Sequence, residues 1–264
     1  MQPKARIGRS PASQHVLRFL QSVALIALCG CHSPQYAVRS PAELLAARTN
    51  YPAHWWTPVP TNGAPTWETL PQAAAPGEVI LSKRHELGLL SNFAATPFTF
   101  RGQRYASLEG FWQMMKYPET NANPPAGFPG AESKLTQADD PRAKFPGIEW
   151  RFTREQVAQL TAFDAKRAGD LAEQNMKQMD ITWVTFEGKR MEYRENARGE
   201  FYQLIAAATR EKVRQNPEVK KVLLATGDLV LKPDHHQGTN TPPAWRYFEI
   251  LTEIRGELQK WNLE

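Results

Sequence analysis

The stretch Ser107-Leu-Glu-Gly-Phe-Trp-Gln-Met-Met-Lys116 decides how this sequence folds. Ser107 is a favourable N-cap and Pro118 cannot continue a helix, so the stretch predicts a helix from Leu108 to Tyr117. This helix carries large apolar side chains together with a carboxylate, an amide and an ammonium group. Its placement therefore decides where the core lies and whether a polar site lies beside it.

Four side chains of this helix share one face because they recur at intervals of three or four residues. They are Glu109, Trp112, Gln113 and Lys116. Burying such polar groups costs several kcal/mol unless they pair with one another or contact a ligand. Two interpretations stay open: a solvated face with spaced surface charges, or a buried functional face.

Short strand patterns surround this helix. Glu78–Ser82 and Leu229–Lys232 predict strands, and Pro97–Arg101 with Gln103–Tyr105 predicts a hairpin around Gly102. Further helices are predicted at Asp140-Pro141, Thr153–Met179, Lys189–Arg214, Pro217–Leu224 and Pro242–Lys260. Helices and strands do not alternate regularly, so the sequence predicts a mostly helical α+β domain with a small sheet.

The basic charge of the chain is concentrated at its beginning. The 264 residues include 32 Lys and Arg against 27 Asp and Glu. Residues 1–30 hold Lys4, Arg6, Arg9 and Arg18 and no acidic residue, which leaves 28 basic against 27 acidic residues elsewhere. A body with a basic stripe that follows nucleic-acid phosphates is not supported.

The N-terminus has the order of an export signal. A basic segment, Met1–Arg18, precedes the apolar Phe19–Leu28, which is too short to cross a bilayer. Leu28-Cys29-Gly30-Cys31 resembles a bacterial lipobox, so we expect Cys31 to be lipidated and to anchor the protein to the membrane of the cell envelope. The alternative is a wrongly assigned start codon and a cytoplasmic protein.

Three parts are predicted: a signal peptide at 1–30, a proline-rich tether at 31–76 and a domain at 77–264. Eight of the 21 prolines fall between residues 32 and 76, and proline favours extended backbone. Trp55, Trp56 and Trp67 lie in the same stretch. They either pack onto the domain surface or contact a partner or a membrane.

A second polar constellation follows the last predicted strand: Asp234-His235-His236-Gln237. Its side chains could bind a metal, form structural hydrogen bonds, or act in catalysis or substrate contact. Adjacent residues of a strand point to opposite faces, so the two histidines cannot easily chelate one ion there. We therefore predict no metal and no other cofactor.

The order of several motifs resembles NADAR-type domains, the YbiA-like N-glycosidase family. The opening motifs are Leu90-Ser91-Asn92-Phe93, Tyr105-x-Ser107-x-Glu109 and Gln113-x-x-Lys116. Weaker matches follow at Asp140–Lys144, at Trp183 and Met191, at Leu223–Leu231 and at Glu249–Arg255, so the resemblance spans about residues 78–258. The chain departs from the family at His235–Gly238, where the family has an aromatic residue and Trp-Gly.

The resemblance implies a YbiA-like enzyme that hydrolyses the N-glycosidic bond of a small, nucleotide-like ribosyl substrate. Family members act on early riboflavin-pathway intermediates or remove ADP-ribose from guanine bases, which makes ADP-ribosylated nucleic acid a further expected partner. By resemblance, Glu109 stabilises positive charge and activates water, and Asp234 takes the late catalytic position. Lys116 either binds phosphate or forms a Schiff base.

The same resemblance implies a set of substrate-binding residues. They are Asn92, Phe93, Trp112, Gln113, Trp183, His235 and His236. Trp183 is expected to stack on the base, and one of the two histidines to donate a proton. The alternative function is a non-catalytic envelope lipoprotein that binds a nucleotide sugar or a protein partner. The oligomeric state is not predicted.

Overall fold

Seven α-helices and six β-strands form in the residues that the computed structural model describes, 40–119 and 140–261. The helices are α1 (Pro41–Ala47), α2 (Leu108–Met114), α3 (Arg154–Ala158), α4 (Ala162–Gln178), α5 (Glu200–Gln215), α6 (Pro217–Ala225) and α7 (Tyr247–Trp261). The strands are β1 (Glu78–Ile80), β2 (Phe98–Phe100), β3 (Gln103–Tyr105), β4 (Trp183–Phe186), β5 (Lys189–Glu192) and β6 (Val230–Lys232). This content confirms the predicted mostly helical α+β fold.

The strands pair in twos within the described residues. Strands β2 and β3 form the predicted hairpin around Gly102, and β4 pairs with β5 in the same antiparallel way. Strands β1 and β6 run parallel, with Glu78 opposite Val230 and Ile80 opposite Lys232. The carboxyl ends of β1 and β6 therefore lie side by side, which brings together two segments far apart in sequence.

Helix α2 lies inside the fold and all seven of its residues are buried. Its predicted N-cap forms, because Ser107 Oγ accepts a hydrogen bond from Gly110 N at 2.9 Å. The helix ends at Met114, earlier than predicted, and a turn leads on to Tyr117. A Cβ on Gly110 would lie 2.6 Å from Leu160 O, so glycine lets α2 approach the neighbouring backbone. The solvated interpretation of this helix is wrong.

The predicted helix from Thr153 to Met179 is two helices, α3 and α4. The predicted capping box of Thr153 does form at the start of α3. The helix breaks because the backbone between α3 and α4 forms hydrogen bonds with the segments before α2. Leu160 O accepts from Ser107 Oγ at 2.8 Å, and Ala162 N donates to Phe93 O at 3.1 Å. Tertiary hydrogen bonds thus outweigh local helix propensity here.

The predicted helix beginning at Lys189 is also wrong at its start. Residues 189–192 form β5, and helix α5 begins only at Glu200. The two residues between the strands, Glu187 and Gly188, have positive φ values of 50° and 79°. A two-residue turn with both φ angles positive matches the twist of a hairpin, which explains the strand pairing.

The described part of the predicted tether is not a spacer. Residues 40–76 belong to the same compact unit as the rest of the described chain, so the predicted domain boundary at residue 77 is wrong there. Trp55 is 1% exposed within the core, and Trp56 Nε1 donates to Glu78 O at 2.9 Å. Trp55 and Trp56 therefore pack against the domain. The predicted signal peptide and Cys31 lie outside the described residues.

No helix among the described residues is both long and apolar enough to cross a membrane.

Lys212 makes stability depend on pH. Its ammonium group is buried in α5, and Nζ donates to Ser91 O at 2.7 Å. Burial lowers the pKa of Lys212 from 10.5 to about 7. Between these values the unfolded chain binds the proton and the folded chain does not, so this group makes stability rise with pH across that window.

We expect Lys212→Met to be more stable than wild type at and below pH 7, with an advantage that shrinks as pH rises toward 10. Removing the buried charge should raise the free energy of unfolding by roughly 5 kcal/mol at low pH, which is the free energy that the lowered pKa represents. Loss of the hydrogen bond to Ser91 should offset about 1–3 kcal/mol of this gain. Urea unfolding of both proteins at several pH values measures the difference. The control is Lys221→Met at an exposed position. Its free energy of unfolding should differ from that of wild type by the same amount at every pH. A flat difference for Lys212→Met would contradict the expectation.

Candidate active site

The carboxylate of Glu109 is buried near the start of α2, and the residue is 6% exposed. Its backbone N–H donates to Asn92 O at 2.9 Å, which ties the helix to the Leu90–Phe93 loop. Gln113 Nε2 donates to Glu109 Oε1 at 2.7 Å. No donor among the described residues bonds to Oε2, so this oxygen is left for water or a substrate.

Burial raises the pKa of the Glu109 carboxyl. The hydrogen bond from Gln113 and the charges of three lysines act in the opposite direction. These lysines are Lys116, Lys166 and Lys83. A carboxylate whose pKa is raised accepts a proton from water more readily than an exposed carboxylate does.

Gln113 is held against Glu109 by the neighbouring helix α4. An added Cβ at Gly169 would lie 1.8 Å from Gln113 Oε1, closer than real atoms approach. Only glycine at this position leaves room for the amide. Gln113 Oε1 is buried and accepts no hydrogen bond from the described residues.

Lys116 is the cation nearest to Glu109 along the chain, and it is also buried. Its Nζ donates to Glu173 Oε2 at 2.8 Å and lies 5.6 Å from the centre of the Tyr193 ring. Arg194 pairs with the other oxygen of Glu173. Burial lowers the pKa of Lys116 against the raising effect of Glu173. This balance leaves both predicted roles open, because phosphate binding needs the ammonium and a Schiff base needs the amine.

Asp234 lies two residues beyond β6 with its carboxylate buried. Lys83 Nζ forms a salt bridge with Oδ2, and Tyr247 Oη donates to Oδ1 at 3.4 Å. His235 Nδ1 lies 3.2 Å from the same Oδ1, and its ring stacks on Tyr247. Burial would raise the pKa of Asp234, but the hydrogen bond from His235 and the charge of Lys83 outweigh it and lower the pKa.

Lys83 pairs directly with Asp234. Its charge is also the weakest of the named influences that oppose the raised pKa of Glu109. The Lys83–Asp234 pair follows from the parallel pairing of β1 and β6, since Lys83 lies three residues beyond β1 and Asp234 two residues beyond β6. Two carboxyls with pKa values moved in opposite directions are the arrangement that acid–base chemistry needs.

An aromatic rim lies beside Lys83. Its Nζ is 5.1 Å from the centre of the Phe93 ring and 5.8 Å from that of Trp67. Phe163, at the start of α4, packs edge-on against both rings at 5.2 and 6.2 Å. Trp67 and Phe163 are exposed at 42% and 48%, so this rim offers ring faces to a planar ligand.

Three predicted substrate-binding residues make their contacts outside the site formed by Glu109, Lys83 and Asp234. Trp112 is in the hydrophobic core, edge-on against Phe201 at 5.2 Å. The Trp183 ring lies 4.7 Å from the Arg142 guanidinium and 4.3 Å from that of Arg190. His236 is exposed and bonds through its backbone N–H to Trp67 O at 3.2 Å. Stacking of a base on Trp183 would require displacing these guanidinium groups.

Sequence reasoning missed three residues of the site: Lys83, Trp67 and Phe163. A usable signal for Lys83 was the similar order of the two strand segments: Glu-Val-Ile-Leu-Ser-Lys83 and Val-Leu-Lys-Pro-Asp234. Polar residues just beyond parallel strands commonly meet at one edge of a sheet. No comparable signal marks Trp67, because its position depends on contacts of the N-terminal segment with the 234–236 loop.

Two surface grooves lie elsewhere on the described chain. One of 1040 Å³ lies between the β4–β5 hairpin and α5, and its walls include Arg101, Arg190 and Arg210. The other, of 540 Å³, lies beside Trp150 and Asn175. Neither is lined by Glu109 or Asp234. Both grooves are therefore separate from the candidate site.

The fold and the site together define an α+β protein with two buried carboxyls, one of which is paired with Lys83. No protein-family model matches the chain, and no curated protein matches it. Among solved structures, the chain is distantly similar to the NMR structure of the E. coli protein YbiA, with 19% identity and a TM-score of 0.40. The similarity covers 69% of this chain and 84% of that one.

Proposed function

We propose that this protein is an N-glycosidase that releases a base from a ribosyl, nucleotide-like substrate. The observation that carries the proposal is the buried Glu109 carboxyl, with Oε2 free of protein donors among the described residues and three lysines acting on its charge. The motif order from Leu90 to Lys116 supports the same reaction class.

The chemistry follows from the charges at this site. Cleaving an N-glycosidic bond passes through an oxocarbenium-like state, in which the ribosyl carbon becomes positive and the departing nitrogen needs a proton. Glu109 removes a proton from the attacking water and stabilises the developing positive charge. Asp234 stays ionised and pairs with both Lys83 and His235. His235 is the proposed proton donor, and its Nε2, which lies 3.1 Å from Gln237 Nε2, must leave that amide to reach the departing nitrogen.

The lysines support the proposal of a nucleotide-like substrate. Lys83 is part exposed and adjoins the aromatic rim of Trp67, Phe93 and Phe163. A substrate phosphate would bind Lys83 or Lys116, while its base would stack on the rim. A release assay over a panel of ribosyl nucleotides, including phosphoribosylamino-pyrimidines and ADP-ribosylated guanine, tests the proposal. Nucleotide binding without release of a base would favour the non-catalytic alternative.

Lys116 distinguishes electrostatic from covalent catalysis. We expect Lys116→Ala to lower base release about 10²-fold or more, because the site loses a charge close to Glu109. Lys116→Arg keeps the charge but cannot readily form a Schiff base. Activity retained in Lys116→Arg therefore indicates phosphate binding, and activity lost in both variants indicates covalent chemistry. Trapping with borohydride and mass spectrometry is the independent measurement. Wild-type rates in Lys116→Ala would remove this residue from the mechanism.

We also propose that the mature protein begins at a lipidated Cys31 and is anchored at the cell envelope. The order of basic, apolar and small residues before Cys31 supports this. Mass spectrometry of the membrane fraction should find an acylated N-terminal cysteine. An unmodified chain that retains Met1 in the soluble fraction would contradict it.

A further inference from the structure

Two imidazoles and a carboxylate converge at a place separate from Glu109 and Asp234. His54 lies in a 3₁₀ turn, Ala53–Trp56, and Glu86 begins another, Glu86–Leu90, with His85 as its N-cap. His54 Nε2 lies 2.8 and 2.9 Å from the two oxygens of Glu86. One donor atom from each of the three residues lies within 4.8 Å of the other two.

We propose that His54, His85 and Glu86 bind a divalent transition-metal ion of the zinc type. Two imidazole nitrogens and one carboxylate oxygen are a donor set that suits zinc, cobalt or nickel better than magnesium or calcium. Ligands of a tetrahedral zinc ion lie about 3.4 Å apart, given bond lengths near 2.1 Å. Small side-chain rotations bring the three donors to that separation, and the fourth position is left for water.

The surroundings orient the proposed ligands. Trp55 Nε1 donates to Glu86 Oε1 at 2.7 Å, and the Trp55 ring is fixed in the core. Such a bond from a rigid neighbour is what holds ligating carboxylates in place at known metal sites. It leaves Oε2, which lies 3.9 Å from His85 Nδ1, as the ligating oxygen.

His85 has little else to bond to. Its Nδ1 accepts one long hydrogen bond, from Leu87 N at 3.4 Å, and its Nε2 is buried without a partner among the described residues. Apart from the proposed ligand Glu86 and this bond from Leu87, the ring has no hydrogen-bond or ion-pair partner among the described residues.

A bound ion would join segments that are distant in sequence. His54 and Glu86 are 32 positions apart, so the ion would tie the N-terminal segment to the body. The second segment also positions a residue of the candidate active site, since a Cβ on Gly88 would lie 2.9 Å from Lys83 Cα. The proposed role is therefore structural: metal should raise the melting temperature and restrain the loop that carries Lys83.

The test is a titration of the full-length chain with Co²⁺, followed by its visible absorption, with Zn²⁺ added as competitor. We expect one ion per chain, displaced by Zn²⁺, and a higher melting temperature in the presence of metal. His54→Asn and His85→Asn should each weaken binding at least 10-fold, since replacing even the outer partners of metal ligands costs about 10–100-fold. His54 is about half-exposed, so its replacement should not endanger folding.

Two control variants separate this site from other donors in the chain. The double variant His235→Asn/His236→Asn removes the adjacent histidine pair and should bind cobalt as wild type does. Cys29→Ser/Cys31→Ser removes the thiols at the N-terminus, which lies outside the described residues, and should also leave binding unchanged. Binding that persists in His54→Asn, or no cobalt absorption at millimolar metal, would overturn the proposal.

Discussion

Glu109→Gln should abolish base release while the protein stays folded. The amide keeps the size of the side chain and can still bond to Gln113, but it cannot accept a proton or carry the negative charge that an oxocarbenium-like state needs. We expect a loss of about 10²–10⁴-fold in kcat with little change in melting temperature. Release of free base from the active substrate of the panel, with the folded state checked by thermal unfolding, is the measurement.

The pH profile supplies a second readout for Glu109. Glu109 acts as a base only when it is ionised, so the wild-type rate should fall as the pH is lowered. Because burial raises the pKa of this carboxyl, the fall should begin above the usual glutamate pKa of about 4.3. The matched control is Glu155→Gln, an exposed carboxylate in the first turn of α3, which should leave rate and profile unchanged. If Glu109→Gln turns over substrate at the wild-type rate, the proposed mechanism is wrong.

Gly169→Ala should impair the site through Gln113. In an ordinary helix, replacing glycine by alanine stabilises by about 1 kcal/mol, because alanine has the higher helix propensity. Here the new Cβ would lie 1.8 Å from Gln113 Oε1, so the amide must move away from Glu109. We expect base release to fall by 10-fold or more, and stability to fall by about 1–3 kcal/mol as the buried packing is strained.

The chain contains a matched control for this substitution. Gly256 lies in the middle of α7, and a Cβ added there meets nothing within 4 Å. Gly256→Ala should therefore leave activity unchanged and raise the melting temperature slightly. Urea unfolding and the release assay on both variants decide the matter. Equal behaviour of the two variants would show that Gly169 does not hold Gln113 in place.

The local structure around Glu109 could be predicted from sequence because its causes are local. The cap at Ser107, the β2–β3 hairpin and the short helix that Asp140-Pro141 opens each depend on a few adjacent residues, and all three form, the last as a 3₁₀ helix. Three predicted helices are wrong at a break or a start. Hydrogen bonds to Ser107 and Phe93 break the first, and a two-residue turn replaces the start of the second. The third, predicted from Pro242, begins with a separate 3₁₀ turn, and α7 starts only at Tyr247.

The sequence also indicated the polar face of α2, but it could not decide whether that face is solvated or buried. Spacing places Glu109, Gln113 and Lys116 on one stripe, and this depends only on helix geometry. Whether the stripe is buried depends on α4 and on the loop before α2, which reach it through long-range contacts. Burial in turn fixes the pKa of Glu109, since desolvation is its largest cause.

The sequence by itself thus determined the fold class and the central helix, and it indicated Glu109 and Asp234 as candidate site residues. Only the tertiary structure paired Asp234 with Lys83, because the parallel pairing of β1 with β6 spans about 150 residues. Only the tertiary structure placed Trp67 at the rim and moved Trp112 into the core. The physical reason is that local rules act over a few residues, whereas burial and charge pairing depend on which distant segments meet.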